Sequence, residues 1–121
     1  MGKIRKNIII YSSKKYNPDR IQTLTENYIR TKDDAVFEYL LFSQLAQIVS
    51  VQLGKNYASQ KRNWEDLKQE TLFYLWEKRE LVFKTNAEVY VRYYWLTIRR
   101  FLRELQDKKN REIITISLDR Y

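Results

Sequence analysis

Residues 87–109 read AEVYVRYYWLTIRRFLRELQDKK, and this stretch organises the rest of the chain. Tyr90, Tyr93, Tyr94 and Trp95 fall within six residues, and Arg92, Arg99, Arg100 and Arg103 lie in or just after the same run. No Gly or Pro interrupts it, and its apolar positions recur with helical period. At about 100° per residue, Ala87, Val91, Tyr94, Ile98, Phe101, Leu102 and Leu105 share one side, which is assigned to a core. Tyr90, Tyr93, Thr97 and Arg100 fall on the shoulder of that stripe, and Arg92, Leu96, Arg99 and Arg103 fall behind it. Two readings fit such a helix. One is an amphipathic helix with aromatic packing and a solvated basic face. The other is a surface for nucleic acid, with rings stacking on bases and arginines neutralising phosphates.

Working outward, the residues before this helix predict two more long helices. Asn63 opens one that runs to about residue 81, with Trp64, Leu67, Thr71, Tyr74 and Leu75 facing inward. Asp66, Gln69, Glu70, Phe73 and Glu77 lie on its opposite side, an acidic face with a ring expected to be exposed. That face reads either as solvated surface with one stray aromatic or as a docking surface for a basic partner with an apolar anchor. Lys32-Asp33-Asp34 supplies an N-cap for a helix over residues 35–53, where Phe37, Leu40, Leu41, Leu45, Ile48, Val49 and Gln52 follow helical spacing. Gly54 is the expected C-cap, and Asn86 the expected cap of the aromatic helix. A short helix is expected from Pro18 to about Arg30. Residues 1–18 read as a basic N-terminal extension holding the β-prone cluster Ile8, Ile9, Ile10 and Tyr11. Residues 112–121 read as a tail or linker whose Ile113, Ile114, Ile116 and Leu118 offer apolar contacts. The expectation is an all-α fold: a compact bundle of three long helices plus a short N-terminal one, spanning residues 19–111.

Composition narrows the function. The 121 residues allow one domain with a modest core. The chain holds 23 Lys and Arg against 15 Asp and Glu, a formal charge of +8, which favours an acidic partner such as nucleic acid. It has no Cys and no His, which removes disulfides, thiolate metal sites and Ser-His or Cys-His catalysis. Asp66 and Glu70 stand one turn apart and could hold Mg²⁺, but no phosphate cradle accompanies them, so no enzyme, metal or cofactor is expected. No stretch is expected to cross a bilayer, nothing reads as a signal peptide, and a cytoplasmic location follows. Charge is uneven: residues 1–20 hold six basic groups and one acidic, residues 86–111 seven and three, and residues 33–80 six and eight. Two basic ends around an acidic middle predict two surfaces for two partners.

Taken in order, several short segments resemble region 2 of the sigma-70 family of bacterial sigma factors. Asp33-Asp34-Ala35-x-Phe37-Glu38 is similar to the domain start of the small extracytoplasmic-function group. Asp66-Leu67-x-Gln69-Glu70 followed by Leu75-Trp76 resembles the family's DLxQE…LW segment. Tyr90-Val91-Arg92-Tyr93-Tyr94-Trp95-Leu96 is similar to its aromatic YATWWIR run, and Ile116-Ser117-Leu118-Asp119 to the linker that often follows. The resemblance implies docking of Asp66, Gln69 and Glu70 on the β′ clamp coiled coil of core RNA polymerase. Phe73 joins that face by geometry. It also implies that Tyr90 holds a flipped base of the non-template strand of a −10-type promoter element. Tyr93 and Tyr94 would stand where two tryptophans wedge the duplex edge, and Thr97 and Arg100 would touch its upstream end. Arg92, Arg99 and Arg103 complete the expected DNA-binding set.

No helix-turn-helix segment for the −35 element is present in the 121 residues. On the resemblance the 121 residues are either a domain of a longer protein or a naturally short sigma-like chain. The latter implies a second protein supplying −35 recognition or, as in phage late sigma factors, a sliding clamp, in a bacterial cell or a phage-infected host. Two other readings stay open. One is a regulator that uses the same docking face to inhibit or divert the polymerase without promoter recognition. The other is a general single-stranded nucleic-acid-binding helical protein.

Overall fold

The computed structural model describes residues 16–119, and the side chains of Arg62 and of residues 109–119 are outside the description. Four long helices make the fold: α1 (Pro18–Thr31), α2 (Asp34–Asn56), α3 (Trp64–Glu77) and α4 (Tyr90–Asp119). Short 3₁₀ turns, Ala58–Asn63 and Arg79–Lys84, lead into and out of α3. The fold is all-α, with no strand among the described residues. The extension before residue 16, with its isoleucine cluster, lies outside them.

The caps explain where α1 and α2 begin and end. Asn17 precedes Pro18 and accepts the N–H groups of Asp19 and Arg20, satisfying donors that have no partner within the helix. Lys32 ends α1 at φ 56°, the left-handed region, and its N–H reaches the Tyr28 carbonyl at 2.7 Å. Asp33 then caps α2 as expected, accepting from Ala35 N–H at 2.9 Å. Gly54 does not cap α2, correcting the sequence expectation. It is helical, the helix runs on to Asn56, and Tyr57 closes it through the Leu53 carbonyl at 2.9 Å.

Within α2, Leu41–Leu45 forms a π-helical turn. The widened turn keeps Leu40, Leu41, Gln44, Leu45, Ile48, Val49, Gln52 and Leu53 all facing inward, and it leaves Phe42 on the surface at 61% exposure. Gln44 is useful there. Its side-chain oxygen accepts Asn17 N–H at 2.8 Å and ties the middle of α2 to the start of α1. The 23 residues of α2 are long and apolar enough to cross a bilayer by length and composition, contrary to expectation. Burial of 56% of its most apolar window within the fold marks α2 as the central core helix.

The core is built where the stripes meet. Ile21, Tyr28, Phe37, Leu45, Ile48, Leu67, Leu75, Ile98 and Leu102 are all at most 4% exposed. Burying each large apolar side chain is worth about 1.5–3 kcal/mol. Trp64, Val91 and Leu105, expected in this core, are only partly buried against it. Phe101 is also partly exposed and stacks on Tyr74, centroids 4.1 Å apart and planes 13° apart. Three boundaries differ from expectation. The helix α3 ends at Glu77 rather than near residue 81. The aromatic helix begins at Tyr90 rather than after Asn86. It then continues through the expected tail to Asp119, with no break at residue 112.

Candidate functional site

Two surfaces are built from different residues of the bundle. The first lies between the π turn of α2 and the outer face of α3. A groove of about 500 Å³ is lined by Glu38, Leu41, Phe42, Gln69, Leu72, Phe73 and Trp76. Its walls are mainly apolar, with Phe42 and Phe73 exposed by 61% and 62%. Tyr39 and Ser43 extend the same surface along α2. Glu38 lines the groove, and Glu65, Asp66, Glu70 and Glu77 are exposed on α3, the helix that carries Gln69 and Phe73, so the surroundings are acidic. Gln69 donates to the Glu65 carboxylate at 3.3 Å, so its amide is held along the helix without being committed to the core.

Behind the groove, Trp76 is fixed by Arg79, whose guanidinium lies 4.4 Å from the ring centroid and donates to the Trp76 carbonyl at 2.9 Å. Arg79 is itself anchored by Asp34 at 2.9 Å and 3.3 Å through two nitrogens. That hydrogen-bonded guanidinium holds the Asp34 carboxyl below its usual range. The far wall is therefore positioned by an ion pair joining α2 to the turn after α3.

Asp66, Gln69, Glu70 and Phe73 all face outward, but only Gln69 and Phe73 line the groove. The phenylalanine at residue 42, the tyrosine at 39 and Glu38 were missed from sequence. Their signal was the unbroken apolar run Tyr39-Leu40-Leu41-Phe42, which is wider than one inward stripe can bury.

The second surface is on α4, and here the expected set divides. Tyr94 is 2% exposed, and its hydroxyl accepts from Thr25 at 3.4 Å. Burial pushes its phenol far above the ordinary value. Tyr94 is a core residue, as the helical wheel placed it, and the place at the duplex edge that the resemblance implied for it is withdrawn. Tyr93 is half-buried edge-on against Tyr94, centroids 5.2 Å apart, and burial raises its phenol as well. Thr97 returns its hydroxyl to the Tyr93 carbonyl at 2.8 Å. Tyr93, Thr97 and Arg100 do form a row, but the row borders a crevice of only about 50 Å³ shared with Tyr74, Lys78 and Leu81. A space that small does not admit a base, because small-molecule sites run to roughly 300 Å³ or more.

Tyr90 is partly buried against the core, and its N–H is bonded to the Gln22 side chain at 3.0 Å. Gln22, not Asn86, therefore serves the first turn of α4. Arg92, Arg99, Arg100 and Arg103 are all exposed. Arg99 and Arg103 join Gln52, Asn56 and Tyr57 around a separate cleft of about 200 Å³. Gln52 and Tyr57 were not read as site residues. A glutamine in the core-facing stripe of α2 was the available signal. Comparison of the chain with protein-family models, with curated proteins and with solved structures finds no match in any of the three.

Proposed function

We propose that this chain is a sigma-like transcription initiation factor of the region 2 type. It docks on the β′ clamp coiled coil of core RNA polymerase and recognises and melts a −10-type promoter element. One observation carries the reading: an apolar groove in acidic surroundings and an arginine-bearing helix face occupy separate surfaces of one small bundle. The groove suits a basic amphipathic helix, with Phe42 and Phe73 as anchors and Gln69 as a polar contact. The arginines suit a phosphate backbone. The sequence resemblance to region 2 supports the same division, since its docking segment supplies Asp66, Gln69 and Glu70.

Promoter contact on this reading falls to Tyr90, Arg92, Tyr93, Thr97, Arg99, Arg100 and Arg103, without Tyr94. The small crevice at Tyr93 requires Tyr74 or Lys78 to move before a base enters. The burial of Tyr94 favours a second reading, a regulator that docks on the polymerase and does not open DNA.

The test is reconstitution with core polymerase. Gln69→Ala with Glu70→Lys is expected to abolish co-purification while leaving the fold intact. A charge reversal at a complementary interface costs several kcal/mol, whereas exposed positions change stability little. Permanganate reactivity at promoter thymines then separates the two readings. Reactivity with the unaltered chain, lost in a Tyr90→Ala, Tyr93→Ala double variant that still binds polymerase, supports a melting factor. Polymerase binding without reactivity supports the regulator, and no polymerase binding sinks both.

A further inference from the structure

The first turn of α1 is fastened to the part of α2 that carries Phe42. Asn17 N–H donates to Gln44 Oε1 at 2.8 Å, within the π turn Leu41–Leu45. Arg20 donates to the Tyr39 hydroxyl at 2.9 Å, its guanidinium 5.8 Å from that ring's centroid. Tyr39 lines an open surface of about 470 Å³ together with Ala35, Glu38, Phe42 and Ser43. Glu38 and Phe42 also line the groove, so this surface runs from the start of α1 into it. A helix with its side chains is about 10–12 Å across, and the six residues from Tyr11 to Asn17 span at most roughly 20 Å. The chain before Tyr16 therefore leaves the fold within reach of the groove.

The composition of that segment complements the groove. Residues 1–15 hold five basic residues, Lys3, Arg5, Lys6, Lys14 and Lys15, and no acidic one. Between them stands the apolar run Ile8-Ile9-Ile10-Tyr11. The groove carries the opposite charge around an equally apolar centre. Glu38 lines it, and α3 holds Glu65, Asp66, Glu70 and Glu77 against the single Lys68. Phe42 and Phe73 are the most exposed large apolar side chains among the described residues, and an apolar patch of this kind marks an interaction surface. Covering it removes apolar area from water, and the opposite charges add an attraction that salt screens. A segment joined to the fold meets its site as an intramolecular event, which favours it over a free partner of equal chemistry.

We infer that residues 3–11 of this same chain occupy the groove. The run Ile8-Ile9-Ile10-Tyr11 covers Phe42 and Phe73, and Lys3, Arg5 and Lys6 lie against the carboxylates of Glu38 and α3. The contact keeps the groove covered until a partner competes for it. It rests on the groove itself and needs no polymerase, so it stands or falls separately from the docking and melting assignments.

The experiment uses the full chain, which has no cysteine. Ser12→Cys therefore takes a single nitroxide label, and amide NMR intensities read which residues the label approaches. The amides of Phe42, Gln69 and Phe73 are expected to lose most of their intensity relative to the reduced label. Trp95, whose ring lies 6.2 Å from that of Tyr16, should be attenuated in every variant and reports the tether alone. Adding Ile8→Asp with Ile10→Asp to the labelled chain should restore the groove signals and leave Trp95 attenuated. Phe42→Ala with Phe73→Ala should restore Gln69 in the same way. Raising the salt should recover part of the intensity, because exposed opposite charges are screened. Both pairs of substitutions lie outside the buried core, and an unmoved Ile98 signal verifies the fold. Full intensity at Gln69 and Phe73 in the labelled chain overturns the inference, as does attenuation that survives the isoleucine substitutions. A mixture of spin-labelled chain with isotope-labelled chain lacking the nitroxide should show no attenuation. Attenuation at the groove in that mixture overturns the contact within one chain in favour of a second copy.

Discussion

The side-chain oxygen of Gln22 accepts the backbone N–H of Tyr90 at 3.0 Å, joining α1 to the first turn of the aromatic helix across 68 residues of sequence. The amide nitrogen of Gln22 donates to the Glu88 carbonyl at 3.2 Å, so one side chain grips both sides of the helix start. A helix N-terminus leaves donors without internal partners, and a distant glutamine here does the work of a local cap. Gln22→Ala should lower stability by about 1 kcal/mol, the usual cost of a lost cap. Amide exchange at Tyr90 should accelerate more than exchange at Ile98. Unchanged exchange at Tyr90 would show that the first turn holds itself.

Tyr94 and Tyr93 are neighbours with opposite fates, and stability measurements separate them. Tyr94→Ala should cost about 3–5 kcal/mol, the range for emptying a buried aromatic site. Tyr94→Phe keeps the ring and removes only the hydroxyl facing Thr25, so a loss near 1 kcal/mol is expected. Tyr93→Ala should cost clearly less than Tyr94→Ala. Equal losses for the two alanine variants in denaturant unfolding would contradict the burial difference.

Phe42 and Phe73 line one groove from two helices and are mostly exposed. Phe42→Ala with Phe73→Ala should leave the melting temperature nearly unchanged, since little buried area is lost. Co-purification with core polymerase should nevertheless fall by an order of magnitude or more, the usual effect of removing two apolar anchors. Full retention would count against the groove as the proposed docking surface.

The Asp34–Arg79 pair gives a pH signature. Hydrogen bonding to Arg79 depresses the Asp34 carboxyl in the folded chain relative to its ordinary 3.8. A depressed carboxylate contributes stability that is present above its unfolded value and lost as pH falls through the folded one. Asp34→Asn should therefore be less stable than the unaltered chain at neutral pH, and the gap should close as pH drops below about 3.8. A gap independent of pH would mean that the carboxylate charge plays no part.

Lys32 holds a left-handed conformation with φ 56° at the end of α1. Such a conformation costs a side-chain-bearing residue roughly 1–2 kcal/mol, partly offset by the greater unfolded freedom of glycine. Lys32→Gly should raise stability by about 0.5 kcal/mol, despite losing the ammonium 5.7 Å from the Phe83 ring. A drop in melting temperature would show that this cation–ring contact outweighs the strain.

Local sequence alone determined the helical class, the cap at Asp33, the start of α1 at Pro18, the inward stripe of α2 and the outward face of Asp66, Gln69, Glu70 and Phe73. These follow from periodicity and side-chain chemistry within a few residues, which act before any tertiary contact forms. The helical wheel already put Tyr94 on the core side and Tyr93 on its shoulder, and only the tertiary structure decided what each of them meets, because a wheel marks a direction and not the neighbour that fills it. Tyr94 meets Thr25 of α1, and Tyr93 meets Tyr94 and the end of α3. The start of α4 was likewise settled from outside, by Gln22 rather than by Asn86. The groove brings Phe42, from the π turn of α2, together with Phe73 of α3. The unpaired oxygen of Gln52 arises because its amide nitrogen meets the Trp95 carbonyl of another helix. Each of these depends on the distance between residues far apart in the chain, which helical spacing does not encode.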